Sequence, residues 1–141
     1  MFRSSDRGET WARISNVTAR TVTFDPQSQG KIYATTLANG VSRSLDGGDT
    51  WQTLNEGLGN LVTGRNGGVL IDPMNPQVLY YGANTMGVFK SRDGGEHWYA
   101  VNSGLTDLGV FAIALDPVNP SVLYAAGAHG VFKTVTGGEA Q

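Results

Sequence analysis

The chain has 141 residues, a net charge of −2 and 16% charged residues, so it offers no basic surface of the kind that binds nucleic acid or anionic lipid. It contains no run of about 18 apolar residues that could span a membrane, and its first residues lack the apolar segment of a signal peptide. The absence of cysteine excludes disulfides and thiolate metal sites. We expect no nucleic-acid partner, no membrane insertion and no cofactor.

One phrase of eight residues occurs three times along the chain. Its aspartates are 40 and then 47 residues apart, and a degenerate fourth copy at 134–139 has Thr136 in place of the aspartate. Self-similarity at such a period is typical of a repeat architecture. The three intact copies are Ser4–Trp11, Ser44–Trp51 and Ser91–Trp98.

A second shared block precedes each later phrase. In it, an aspartate followed by proline stands eight residues ahead of a tyrosine, and this constant spacing indicates strands and turns of fixed length. The Asp-Pro pair should end a strand, because proline cannot donate to a ladder and aspartate favours turns. The pairs are Asp25 and Tyr33, Asp72 and Tyr80, and Asp116 and Tyr124.

Each unit is predicted to contain four strands, A to D. Strand A is an apolar run such as Val110–Leu115, which we expect to be buried on both faces because its hydrophobicity is nearly continuous. Strand B covers 78–83, strand C covers Gly87–Arg92, and the short strand D starts at the tryptophan, as in 51–54. No stretch has a sustained helical period, so we expect almost no helix.

Four short strands repeated every 40 to 47 residues are typical of a β-propeller blade. The predicted fold is all-β, a single propeller segment of four-stranded antiparallel blades over 1–141. Residues 1–15 supply strands C and D of a first blade, 16–59 and 60–104 form blades, and 105–141 form a partial blade. About three blades indicate a partial ring or half of a dimeric six-bladed ring, because closed propellers have about four to eight blades.

The phrase Ser-x-Asp-x-Gly-x-Thr-Trp closely resembles the Asp-box, or BNR repeat, of sialidases, xyloglucan-active glycoside hydrolases, sortilin-type receptors and photosystem II assembly factors. The surrounding Asp-Pro-x-Asn-Pro and Gly-Val-Phe-Lys-Ser segments are most similar to bacterial xyloglucanase-like Asp-box proteins. This resemblance implies a propeller fold and favours a secreted or periplasmic bacterial protein. It does not select a function, because hydrolases, receptors and assembly factors share the box.

The chemistry of the phrase explains its residues without any ligand. We expect the carboxylates to accept backbone N–H groups of their own turns, the glycines to supply unusual backbone angles, and the tryptophans to fill space between sheets. The spacing lacks the alternating ligands of a Ca²⁺ loop, so we expect no metal. These structural residues are Ser4, Asp6, Gly8, Trp11, Ser44, Asp46, Gly48, Trp51, Ser91, Asp93, Gly95 and Trp98.

The loops that join strand D to the next strand A differ in length, whereas the turns on the phrase side barely change. From each phrase tryptophan to the next Asp-Pro aspartate the separations are 14, 21 and 18 residues. Function usually resides on variable loops over a fixed scaffold, although these side chains could equally be solvated loop residues. The candidate ligand-binding face carries Arg20, Asn39, Asn60, Arg65, Asn66, Asn84, Asp107 and His129.

Two functions remain open from the sequence. The first is a non-catalytic binding scaffold for a glycan or a protein. The second is a portion of a xyloglucanase-like or sialidase-like glycoside hydrolase, which needs two carboxylates across the scissile bond. On the candidate face Asp107 is the clear carboxylate, with Glu56 near a strand end, so most catalytic carboxylates would lie outside this chain. The missing blades would come from a longer parent chain or from a homodimer.

Overall fold

The computed structural model of the protein describes residues 1–36, 40–59 and 67–139, and these form thirteen strands and no helix. No helix in this part is long and apolar enough to cross a membrane. The first sheet pairs β1 (Phe2–Arg3) with β2 (Ala12–Arg13). The second contains β3 (Ala19–Phe24), β4 (Ile32–Thr36), β5 (Gly40–Ser44) and β6 (Gln52–Thr53).

The third sheet contains β7 (Val69–Ile71), β8 (Leu79–Ala83), β9 (Gly87–Ser91) and β10 (Tyr99–Ala100), and the fourth contains β11 (Val110–Leu115), β12 (Leu123–Gly127) and β13 (Gly130–Thr134). All pairings are antiparallel between consecutive strands. The predicted all-β fold of four-stranded propeller blades is confirmed. The boundaries 16–59, 60–104 and 105–141 stay a prediction, and residues 60–66 lie outside the described part.

The Asp-Pro turns end strand A in each of the last three sheets. Asp72 Oδ1 accepts the backbone N–H of Met74 at 2.8 Å, and Asp116 Oδ1 accepts the N–H of Val118 at 2.9 Å. The carboxylate therefore substitutes for a strand partner at the point where proline breaks the ladder. This fixed turn returns the chain into strand B with the same length in every repeat.

The core lies between adjacent sheets. Tyr33 and Val41 of the second sheet pack with Leu79, Tyr81 and Trp98 of the third, and all five are buried. A second cluster joins the third sheet to the fourth in the same way. The third sheet is therefore packed on both sides, against the second and the fourth sheet.

The prediction that strand A is buried on both faces is wrong in the second and fourth sheets. Phe24 on β3 is 71% exposed and Phe111 on β11 is 57% exposed. The first sheet has only β1 and β2 to lie beside β3, and no sheet of the described residues covers the outer face of β11. Burial of strand A depends on whether a neighbouring sheet covers it, and this cannot be predicted from the sequence of the strand itself.

The tryptophans follow the same rule. Trp98 is 4% exposed, its ring lies edge-on to Tyr81 at 6.1 Å, and its Nε1 donates to the carbonyl of Leu54 in the preceding sheet at 3.0 Å. Trp51 is half-buried, and its Nε1 donates to Gly48 at 2.9 Å. Trp11 is 63% exposed, because no sheet of the described residues precedes it. The predicted packing between sheets therefore holds for Trp98 and is wrong for Trp11.

The second glycine of each phrase touches the preceding sheet closely. A Cβ at Gly95 would lie 3.0 Å from Leu54 Cδ1, and Gly95 has a φ of +95°. In each case the contacted residue lies three positions after the tryptophan of the preceding phrase. At the turn position itself, only glycine combines the required φ with the required space. The equivalent contacts are Gly48 on Ile14 at 2.9 Å and Gly138 on Val101 at 2.9 Å.

We predict that Gly95→Ala destabilises the chain more than Gly104→Ala. Both positions have positive φ, which costs alanine about 1–2 kcal/mol, but a Cβ at Gly104 has no neighbour within 4 Å. The clash at Gly95 should add about 1–3 kcal/mol. Urea unfolding of both variants measures the difference, and equal losses would show that the turn does not fit tightly against Leu54.

Candidate functional site

The phrase turns use their own carboxylates internally. In the third phrase, Ser91 Oγ donates to Asp93 Oδ1 at 2.8 Å and accepts the N–H of Gly95 at 2.9 Å. Asp93 also accepts the backbone N–H of His97 at 3.0 Å, and its Oδ2 pairs with His97 Nδ1 at 2.7 Å. The second phrase repeats this arrangement, with Thr50 in place of the histidine.

These hydrogen bonds hold the phrase carboxylates ionised. The side chain of Thr10 lowers the pKa of Asp6 to about 2, and the side chain of Thr50 lowers the pKa of Asp46 further. At Asp93 burial raises the pKa, but hydrogen bonds from His97 outweigh it and lower the pKa to about 2. In the described part of the chain no three His, Asp or Glu side chains are grouped as metal ligands.

We predict that the chain loses stability between about pH 4 and pH 2 and that Asp93→Asn reduces this loss. The pKa of Asp93 falls from an ordinary 3.8 to about 2 on folding, so the unfolded state binds the proton first as the pH falls. The stabilisation from the ionised Asp93 is complete at pH values above the pKa of the unfolded state. It is lost as the pH falls through the pKa of the folded state. Urea midpoints at pH 5 and near pH 2 measure it, with Asp49→Asn on a neighbouring phrase as control. An unchanged pH dependence in Asp93→Asn would contradict the assignment.

The structure brings together three of the candidate residues on the loop side. Asp107 Oδ2 lies 2.7 Å from His129 Nδ1, and Asp107 Oδ1 accepts the N–H of Gly109 at 2.8 Å. A Cβ at Gly109 would lie 3.6 Å from the carbonyl oxygen of Asn84. The loop after β10 therefore crosses the turns between strands B and C of the third and fourth sheets.

This cluster places an exposed imidazole and partly exposed apolar side chains around the Asp107 carboxylate, whose side chain is 19% exposed. The N–H of Gly109 and the side chain of His129 lower the pKa of Asp107, so its carboxylate is an ionised acceptor at neutral pH. The His129 side chain is 81% exposed. Met86 and Leu108 beside it are 43% and 42% exposed, and the carbonyl of Leu108 accepts the N–H of Gly87 at 2.8 Å. The surface thus offers hydrogen-bonding groups next to apolar side chains.

The other predicted site residues are placed differently. Arg20 is exposed at the start of β3 in the second sheet, whereas the grouped residues belong to the third and fourth. Glu56 lies beside the third phrase, where its carbonyl accepts the N–H of Trp98 at 2.9 Å, so it does not pair with Asp107. Four candidates lie outside the described residues, namely Asn39, Asn60, Arg65 and Asn66.

Two asparagines that were not predicted from the sequence hold the loop side in place by binding backbone groups of strand C and of the turn before it. Asn102 Oδ1 accepts the N–H of Val88 at 2.7 Å, and its Nδ2 donates to the carbonyl of Met86 at 2.9 Å. Asn55 accepts the N–H of Val41 at 3.0 Å in the second sheet. Each asparagine follows its phrase tryptophan by four residues, and this shared spacing was the signal that could have identified them.

A cavity of about 430 Å³ lies between the third and fourth sheets. Its lining includes Val88, Val101, Leu123 and Gly138, which correspond in the repeat to the residues around buried Trp98 in the preceding pair of sheets. The fourth phrase supplies no tryptophan to this space, since Gln141 occupies that position in the sequence. The cavity is therefore explained by the repeat itself.

No protein-family model matches the sequence, and no curated protein matches it. Similar solved structures are an ancestral GH74 enzyme (TM-score 0.71, 24% identity, 88% of this chain and 18% of that chain) and the GH74 enzyme of Niastella koreensis (0.75, 20%, 99% and 25%). A third is the GH74 xyloglucanase of Xanthomonas campestris (0.71, 18%, 97% and 26%). The chain thus spans 18 to 26% of the length of these structures. The likeness shows that its fold is that of a β-propeller.

Proposed function

We propose that this chain is a non-catalytic segment of an Asp-box β-propeller and that it binds a glycan through Asn84, Asp107 and His129. The Asp-box assignment is supported by three phrases that have the same spacing and the same hydrogen bonds among serine, aspartate and the second glycine. The glycan is preferred to a protein ligand because the cluster is small, polar and bordered by single apolar side chains.

The paired Asp107 and His129 carry this proposal. A sugar presents hydroxyls that both donate and accept, and the ionised carboxylate and the exposed imidazole match that chemistry. Asn84 lies beside them through its backbone carbonyl. The apolar C–H face of a sugar ring would contact Met86 and Leu108, which are partly exposed at the same place. Binding sites commonly combine a few placed polar groups with apolar walls in this way.

A portion of a glycoside hydrolase is the second candidate, and the likeness to GH74 enzymes favours it. Hydrolysis needs an acid and a second carboxylate about 5–10 Å apart. The pKa of Asp107 is lowered, which suits a base more than an acid, and Glu56 lies by the third phrase. Under this alternative the catalytic carboxylates belong to other blades of a longer protein.

The glycan proposal predicts that xyloglucan oligosaccharides shift the amide resonances of residues 84–86, 107–109 and 129 in the ¹⁵N spectrum of the chain. Asp107→Ala should weaken this binding about tenfold or more, because a hydrogen bond to a charged group is lost. Asp116→Ala is the matched control, since Asp116 accepts N–H groups in a similar turn at the opposite end of strand A. Shifts elsewhere, or equal effects of both variants, would contradict the site.

Reducing-sugar release from xyloglucan separates the two candidates. We expect none from the chain alone. Release that disappears in Asp107→Ala would replace the scaffold proposal by catalysis at this residue.

A further inference from the structure

The outer face of the fourth sheet repeats a face that the third sheet buries. Tyr80 and Val88 of the third sheet are each 2% exposed, whereas Tyr124 and Val131, which occupy the same positions of the repeat, are 38% and 70% exposed. Lys133 is likewise exposed where the equivalent Lys90 is buried. We call Tyr124, Val131 and Lys133 the tail face.

The first sheet exposes the complementary face. Phe89 and Trp98, which the third sheet packs against the second, are 5% and 4% exposed. Phe2 and Trp11 hold the same positions of the repeat and are 60% and 63% exposed. We call Phe2, Glu9 and Trp11 the head face.

A polar contact joins the second sheet to the third. Tyr33 Oη donates to the carbonyl of Gly94 at 3.0 Å, and Arg43 Nη1 donates to the same carbonyl at 3.3 Å. Arg43 Nη2 also forms an ion pair with Glu96 at 2.8 Å. A tyrosine of strand B and a cation of strand C thus bind the first glycine and the acid of the next phrase.

The same contact joins the third sheet to the fourth. Tyr80 Oη and Lys90 Nζ donate to the carbonyl of Gly137 at 3.3 and 3.1 Å, and Lys90 pairs with Glu139 at 2.7 Å. Arg3 of the first sheet similarly donates to the carbonyl of Gly47 at 3.2 Å. The bond from the strand C cation to the first glycine carbonyl therefore occurs at all three junctions between sheets in the described residues, and the tyrosine joins it at two of them.

Each end of the stack retains one half of this contact. Lys133 Nζ stands 5.6 Å from the centre of the Tyr124 ring, as Lys90 Nζ stands 5.3 Å from that of Tyr80. In the first phrase, Arg7 takes the place of the first glycine with a φ of 62°, close to the 72° of Gly94. The carbonyl of Arg7 and the exposed carboxylate of Glu9 are the acceptors that match a tyrosine and a lysine.

We propose that the tail face of one copy binds the head face of a second copy of this chain, with Lys133 on Glu9 and Tyr124 on the Arg7 carbonyl. The charges are opposite and the apolar residues are of the types that already pack together inside the chain.

In this pair β13 stays in its own sheet, whereas a six-bladed ring would be closed by exchange of strands between the copies. Each copy has sheets of two, four, four and three strands, so a closed pair has eight sheets, four of them complete four-stranded blades. Eight sheets lie at the upper end of the range of about four to eight blades. The interface is independent of the glycan proposal.

Charge reversal tests the contact on the whole 141-residue chain. Light scattering after size exclusion, over a tenfold dilution, should give twice 14.9 kDa for the wild type. Lys133→Glu and Glu9→Lys should each dissociate at least tenfold more readily. An equimolar mixture of the two variants should recover the pair, because both of its junctions then join opposite charges. Glu56→Lys, a reversal at an exposed acid outside the two faces, should associate as the wild type does.

A monomeric wild type would overturn the proposal and would leave these faces to further blades of a longer protein. Association that both reversals leave unchanged would also overturn it and would favour exchange of strands. Failure of the mixture to recover the pair would exclude the Lys133–Glu9 contact. Unchanged circular dichroism of each variant establishes that the folded chain is being compared.

Discussion

The close fit between each phrase turn and the preceding sheet is the constraint on which the rest of the structure depends. Gly95 brings its backbone against Leu54 because it has no Cβ, and Ser91 and Asp93 hold the turn in the shape that makes this approach. A turn fixed in this way allows little variation in length. The first residues after strand D take part in this contact, as Leu54 and the Glu56 carbonyl do, whereas the rest of each loop varies in length and can carry side chains for binding.

The strand order could be predicted from the sequence because it follows from constant spacings. Burial could be predicted only in part, since it is set by the neighbouring sheet: Trp98 has one and Trp11 has none among the described residues. The sequence predicts a candidate binding face that includes Asn84, Asp107 and His129, and its binding role stays a prediction. The contact between Asp107 and His129 was not predicted, because it joins a loop to a turn 22 residues away.

Carboxylates on both sides of the sheets are engaged by hydrogen bonds. On the phrase side, carboxylates such as Asp46 and Asp93 bind groups of their own turns, and their lowered pKa values reflect that use. On the loop side, Asp107 is paired with an exposed imidazole as Asp93 is, but its histidine comes from a turn 22 residues away. Under the glycan proposal, the function depends on these loop residues and not on the shared fold.

Amide hydrogen exchange in Asp93→Ala tests most directly whether the phrase turn holds adjacent sheets together. Asp93 lies in the third phrase, whereas β4 and β5 belong to the preceding sheet and contact it through Tyr33 and Arg43. If the turn secures this junction, the amides of β4 and β5 should lose protection together with those of β9. Loss of protection confined to residues 87–98 would contradict the account, because the turn would then stabilise only its own hairpin.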